Sequence, residues 1–113
     1  MASHPSGFLI DCAPEVFDEG VRFWSQALGV VPHPADDADG NYVVLPGAHE
    51  SMDVEVQRLA DGPSRFHLDL AAEDVDEEAD RLEGLGATKL ERVEDWWVMR
   101  APTGHIFCVV PDE

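Results

Sequence analysis

The chain has 113 residues, and its 24 acidic and 7 basic side chains give a formal net charge of −17. This excess of negative charge repels nucleic-acid phosphates and anionic lipid surfaces, so we expect neither nucleic acid nor a membrane among its partners. The length suits one domain with a single core, and no apolar run approaches the ~20 residues that span a bilayer, which favours a cytoplasmic location for this acidic protein.

The first half of the chain predicts a strand, a helix and further strands. Residues 7–13 are a short apolar run, and Pro14 follows as the start of a helix that ends at Gly29, the position of a left-handed cap. Apolar residues recur at three- and four-residue steps along this helix, at Phe17, Val21, Trp24 and Leu28. An apolar piece at 30–31 and two strands, at 41–45 and 52–58, complete this half.

The second half repeats the same order. A strand at 65–71 precedes a helix from Val75 to Leu85, which Asp74 caps in a variant capping box and Gly86 ends. Three strands then follow, at 88–93, 96–100 and 106–110. The acidic residues at the start of this helix predict a solvated face with no function; they are Glu73, Asp74, Asp76, Glu77, Glu78 and Asp80.

The two halves have nearly the same internal spacing. Asp11 precedes Gly29 by 18 residues, and Asp69 precedes Gly86 by 17, which indicates a duplication. We therefore predict one α+β domain, residues 1–113, made of two tandem βαβββ modules at about 7–59 and 65–111. The modules are expected to form a curled eight-stranded mixed sheet, or cup, with the helices outside and a small-molecule site within.

Three ordered segments point to a known family. They are Phe23-Trp24 with Leu28-Gly29, the stretch from 67–70 to 85–87, and the ending from 96–99 through 102–109. Together they resemble the vicinal oxygen chelate superfamily, which includes glyoxalase I, bleomycin-resistance proteins and extradiol dioxygenases, and above all its short glyoxalase-like domains. In metal-using members, the first and last strand of each module supply the ligands of a divalent ion.

The resemblance places those four ligand positions on Leu9, on Glu55 or Gln57, on His67 and on Cys108. Leu9 offers no donor atom. Cys108 lies in an apolar segment, where a buried free thiol is the commoner state. Only His67 and Glu55 then remain as ligands, so we predict that the protein has no resident metal or other cofactor.

A polar group is nevertheless predicted inside the cup. His67 and Asp69 lie two apart on one strand and therefore share a face, and the overlay of the modules directs Asp11 into the cup. These side chains would suit a cationic or hydrogen-bonding ligand. Alternatively, the aspartates accept backbone N–H groups or pair with Arg65 or Arg100, and His67 is a satisfied interior histidine.

Of the adjacent Trp96 and Trp97, only one faces the cup and the other packs in the core. With Trp97 taken as the stacking residue, the candidate ligand-binding residues are Asp11, Glu55, His67, Asp69, Trp97 and Cys108. No catalytic residue is assigned. The sequence thus favours a metal-independent small-molecule-binding protein of the glyoxalase and bleomycin-resistance type, and the alternative is a metal-dependent lyase or isomerase. We expect a two-fold symmetric homodimer.

Overall fold

The computed structural model describes residues 2–112. In chain order, the described residues form β1 (His4–Cys12), α1 (Phe17–Leu28), β2 (His33–Pro34), β3 (Tyr42–Val44), β4 (Asp53–Arg58), β5 (Arg65–Ala72), α2 (Val75–Gly84), β6 (Thr88–Val93), β7 (Trp96–Arg100) and β8 (Ile106–Pro111). The strand order β2-β3-β4-β1-β5-β8-β7-β6 makes one mixed sheet. The predicted α+β class and the repeated βαβββ order are confirmed. Neither helix is long and apolar enough to cross a membrane.

Contacts divide the chain into two compact units. The first unit is Gly7–Phe66, and the second unit combines the described residues up to Ser6 with those from His67 onward. Each unit contains one helix and one set of strands. The first four strands and α1 belong mainly to the first unit, and the last four strands and α2 to the second.

In the first unit, β1 and β4 run parallel and present one apolar face to α1. The buried core there consists of Ile10, Cys12, Phe17, Leu45, Val54 and Val56. Because side chains alternate along a strand, the opposite face carries Leu9 and Asp11, which are in register with Glu55 and Gln57 respectively.

The ends of α1 follow local sequence signals, with two differences from the prediction. Gly29 has a φ of 69° and its N–H donates to the carbonyl of Gln26, as expected for a left-handed cap. Residues Pro14–Val16 form a 3₁₀ turn, so the α-helix begins only at Phe17. Leu28, the last residue of α1, was predicted to lie on the apolar face but is 43% exposed.

Two strands also differ from the sequence prediction. β1 begins at His4, three residues before the apolar run, and the two-residue β2 lies at His33–Pro34 rather than at the apolar piece 30–31. Both segments are polar or contain proline. The strand geometry of β2 comes from pairing with β3, where His33 is in register with Val44, and not from a hydrophobic pattern.

In the second unit, α2 packs its apolar face on β7 and β8. Val75 and Ala79 join Ala72, Met99 and Val109 in a core in which Ala79, Met99 and Val109 are fully buried. The predicted cap is present, because Asp74 Oδ1 accepts a hydrogen bond of 3.0 Å from the Glu77 N–H. The helix proper ends at Gly84, one residue before the predicted end.

Glu78 corrects the prediction that the acidic start of α2 is a solvated face. It is only 3% exposed, because Ser3 and Arg81 contact its carboxylate. Arg81 donates to its two carboxylate oxygens at 2.7 and 2.8 Å, and Ser3 donates from its N–H at 3.0 Å and its hydroxyl at 2.6 Å. The bond from Arg81, followed by those from Ser3, lowers the pKa of Glu78 to about 2.

Candidate functional site

The strands of the second unit separate a polar face from an apolar one. Asp69 is in register with Cys108, and Cys108 with Val98, so these three residues share one face of the sheet. Val109 and Met99 lie on the other face, where they form the core with α2. The sheet therefore has a face turned away from α2 that carries polar side chains.

His67, Asp69 and Cys108 form a cluster on that face. Their potential ligand atoms all lie within 4.8 Å of one another. His67 Nε2 is 3.3 Å from Asp69 Oδ1, and the two side chains are 8% and 22% exposed. Cys108 is a buried free thiol, as predicted. The cluster joins a nitrogen, a carboxylate and a sulfur donor in a largely water-excluded place.

This arrangement has two chemical uses. The carboxylate of Asp69 orients the imidazole of His67, and the pair presents both a hydrogen-bonding ring and a negative charge to a ligand. The same three donors also match the residue types that bind zinc. The sequence placed His67 and Cys108 at ligand positions but did not group Asp69 with them as a metal donor. The parallel register of β5 with β8 creates that grouping.

Trp97 does not share the face of His67, so its selection as the stacking tryptophan needs correction. Its ring packs against the α2 core, and its Nε1 donates to Asp76 Oδ1 at 2.8 Å. The hydrogen bonds from Arg92 and then from Trp97 lower the pKa of Asp76. Because residues alternate along β7, Trp96 is the tryptophan on the side of Cys108.

The remaining candidates, Asp11 and Glu55, belong to the first unit. The side chain of Asp11 is fully buried, and its Oδ2 lies 3.5 Å from Arg65 Nε. This contact matches the alternative in which Asp11 pairs with an arginine. Glu55 is in register with the buried Leu9, the position without a donor atom. That Asp11 and Glu55 act on the same ligand as His67 stays a prediction.

Comparison with known proteins agrees with this architecture. A family model described as a glyoxalase-like domain matches residues 8–110. No match was found among curated protein sequences. The solved structure of the 2,3-dioxygenase LapB from Pseudomonas sp. KL28 is similar over 99% of this chain, with a TM-score of 0.61 and 16% identity, and this chain covers 42% of it.

A second solved structure matches this chain over nearly its own full length. It is described as an NAD-dependent benzaldehyde dehydrogenase from Legionella pneumophila and has a TM-score of 0.62, with 8% identity over 94% of this chain and 99% of that one. At such identities the likeness shows the fold alone. The two named activities also differ from each other, so the chemistry must be argued from the residues of this chain.

Proposed function

This chain belongs to the glyoxalase-like domain family, and from that premise we propose that it binds a small organic molecule without a resident metal. In this proposal the ligand contacts His67 and Asp69 on the sheet face turned away from α2. Membership of the family supports a small-molecule site but does not specify the charge or shape of the ligand. The proposed charge and shape of the ligand come from the side chains of the second unit.

The observation that carries the proposal is the buried pair of His67 and Asp69. A largely buried imidazole and carboxylate cost desolvation free energy that an apolar pair in the same place would not. They partly satisfy each other over 3.3 Å, and Asp69 still has 22% of its side chain exposed. An exposed carboxylate edge beside a buried imidazole suits a ligand that carries a positive charge.

Trp96 is the reason to propose that the ligand is aromatic as well as positively charged. It lies on the same face of the sheet as Cys108, on the strand next to β8. Tryptophan rings stack on aromatic groups and attract cations through the negative face of the ring. We therefore propose a small aromatic cation, a class that the net charge of −17 also attracts.

A metal-dependent lyase or isomerase is the second candidate function. The observation in its favour is the convergence of donor atoms from His67, Asp69 and Cys108 within 4.8 Å. These residues would hold a zinc-like ion with one open position, and such an ion would polarise a carbonyl oxygen of the substrate. We favour binding without metal because Leu9 supplies no donor and Cys108 would have to ionise within a buried strand.

Asp69→Asn tests the binding proposal. We expect benzylammonium to raise the melting temperature of the wild-type protein more than benzyl alcohol or benzoate does. Because an asparagine at this position would keep the shape of the side chain without its charge, the affinity for benzylammonium should fall about tenfold. Affinity is measured by isothermal titration calorimetry.

Asp53→Asn is the matched control, since it removes the same charge from an exposed position on β4. It should leave the affinity for benzylammonium unchanged. Equal stabilisation by benzoate and benzylammonium, or an unchanged affinity in Asp69→Asn, would reject the role of Asp69 as a counter-ion.

A further inference from the structure

The first unit contains a cavity of about 470 Å³ next to α1. This volume lies in the range of sites for small organic ligands, roughly 300–1,000 Å³. Its apolar lining comes from β1, the 3₁₀ turn, α1 and the start of β5: Ile10, Cys12, Val16, Phe23, Trp24 and Phe66. None of these residues belongs to the His67 cluster, so an inference about this cavity is independent of the proposed function.

Three aromatic rings form one wall of the cavity. Trp24 meets Phe23 edge to face at 5.1 Å and Phe66 edge to face at 6.0 Å. Phe23 is 60% exposed and Phe66 is 55% exposed, although large aromatic rings usually lose most of their exposed surface on folding. The rings are held in place by one another but remain open to an occupant.

The charges around the cavity favour an uncharged occupant. The buried carboxylate of Asp11 lies 3.5 Å from Arg65 Nε, so one negative and one positive charge oppose each other inside the lining. Glu19 also borders the cavity, but its side chain is exposed to water. A charged ligand would lose hydration on entry without gaining a separate counter-ion inside.

Gly20 keeps the floor of the cavity open. A Cβ at this position would lie 2.6 Å from Cys12 Sγ, and both residues line the cavity. Any side chain there would displace the thiol and occupy part of the space. The close approach of α1 to β1 thus leaves a cleft that is bounded by a sulfur atom and aromatic carbon.

From these observations we infer that an uncharged fused-ring aromatic molecule binds in this cavity, against Phe23, Trp24 and Phe66. Phe66 is already stacked on Phe8, with ring centroids 5.4 Å apart, so contacts with such a ring system would bury the surface of Phe23 and Phe66 that is still exposed. A second copy of the chain is a poorer occupant, because it would bring another 17 negative charges toward a surface that Glu19 already borders.

The test is a fluorescence titration with 2-naphthol, which is uncharged at neutral pH, beside 2-naphthoate and 2-naphthylmethylammonium. We expect one molecule of 2-naphthol per chain and weaker binding of both charged analogues. Phe23→Ala and Phe66→Ala should each weaken 2-naphthol binding about tenfold. Both residues are more than half exposed, so the variants should fold, and thermal melting checks this.

Leu28→Ala is the control, because Leu28 is a 43% exposed residue of the same helix that does not line the cavity. It should bind 2-naphthol like the wild type, and so should Asp69→Asn. Binding that is lost in Asp69→Asn, or that is equally weakened in Leu28→Ala, would overturn the inference. The inference would also be overturned if 2-naphthol did not bind and the wild-type protein formed a dimer that Phe23→Ala dissociates. A second copy of the chain would then be the occupant of the cavity.

Discussion

Replacing Met99 with Ala is expected to lower the free energy of unfolding by about 3 kcal/mol, within the range of large-to-small changes in protein cores. Met99 is fully buried and packs with Val75 and Ala79 of α2 and with Val109 of β8. Truncation would leave a cavity at the contact between the helix and the sheet. Urea denaturation followed by circular dichroism measures the loss.

Met52→Ala removes the same atoms from a half-buried residue that precedes β4. It lies outside the buried core clusters of the described residues, and we expect it to cost less than about 1 kcal/mol. Equal losses in Met99→Ala and Met52→Ala would contradict the tight packing of Met99 between α2 and the sheet, because a half-buried methionine outside both cores would then cost as much.

Glu78→Gln is expected to lower the free energy of unfolding at pH 7 by about 2 kcal/mol, the scale of a hydrogen-bond network to a charged group. The substitution removes the negative charge that Arg81 and Ser3 bind. Arg81 is 44% exposed and regains water when its partner is lost, which keeps the cost below that of a fully buried ion pair. Glu77→Gln, at an exposed position of the same helix, should change stability little.

The same carboxylate predicts a pH dependence. Hydrogen bonds from Arg81, followed by those from Ser3, lower the pKa of Glu78 from 4.5 to about 2. Because the pKa is lower in the folded state, this group stabilises the fold fully above pH 4.5, and its contribution is lost as the pH falls toward 2. The stability difference between wild type and Glu78→Gln should therefore shrink between pH 5 and pH 2. A difference that stays constant over this range would contradict the assignment.

The sequence was informative wherever structure depends on near neighbours. Gly29 and Asp74 end and begin helices through their own backbone and side-chain geometry, and the alternation of Val54 and Val56 was enough to place β4. The spacing of Asp11 and Asp69 within the two halves predicted the repeated element order. The helix caps and the alternation each lie within a few residues of the element that they specify. The spacing of the two aspartates is informative because it repeats along the chain.

Features that depend on distant pairing were missed. The burial of Glu78 depends on Ser3, which is 75 residues away in the chain. The grouping of Asp69 with Cys108 depends on the register of two parallel strands, which a period-two pattern cannot fix. The choice between Trp96 and Trp97 has the same origin, since the register of β7 with β8 pairs Trp97 with Val109 on the face that packs against α2.

The most direct test of metal-independent binding is the affinity for benzylammonium after all divalent metal has been removed. The protein is dialysed against EDTA, its metal content is checked by elemental analysis, and benzylammonium is titrated by calorimetry before and after one equivalent of Zn²⁺ is added. If His67 and Asp69 bind the ligand themselves, the metal-free protein should bind one benzylammonium per chain, and zinc should not strengthen binding. If binding is absent without metal and is restored by one zinc per chain, but not in His67→Ala, then the metal-dependent alternative is correct and binding by His67 and Asp69 alone is wrong.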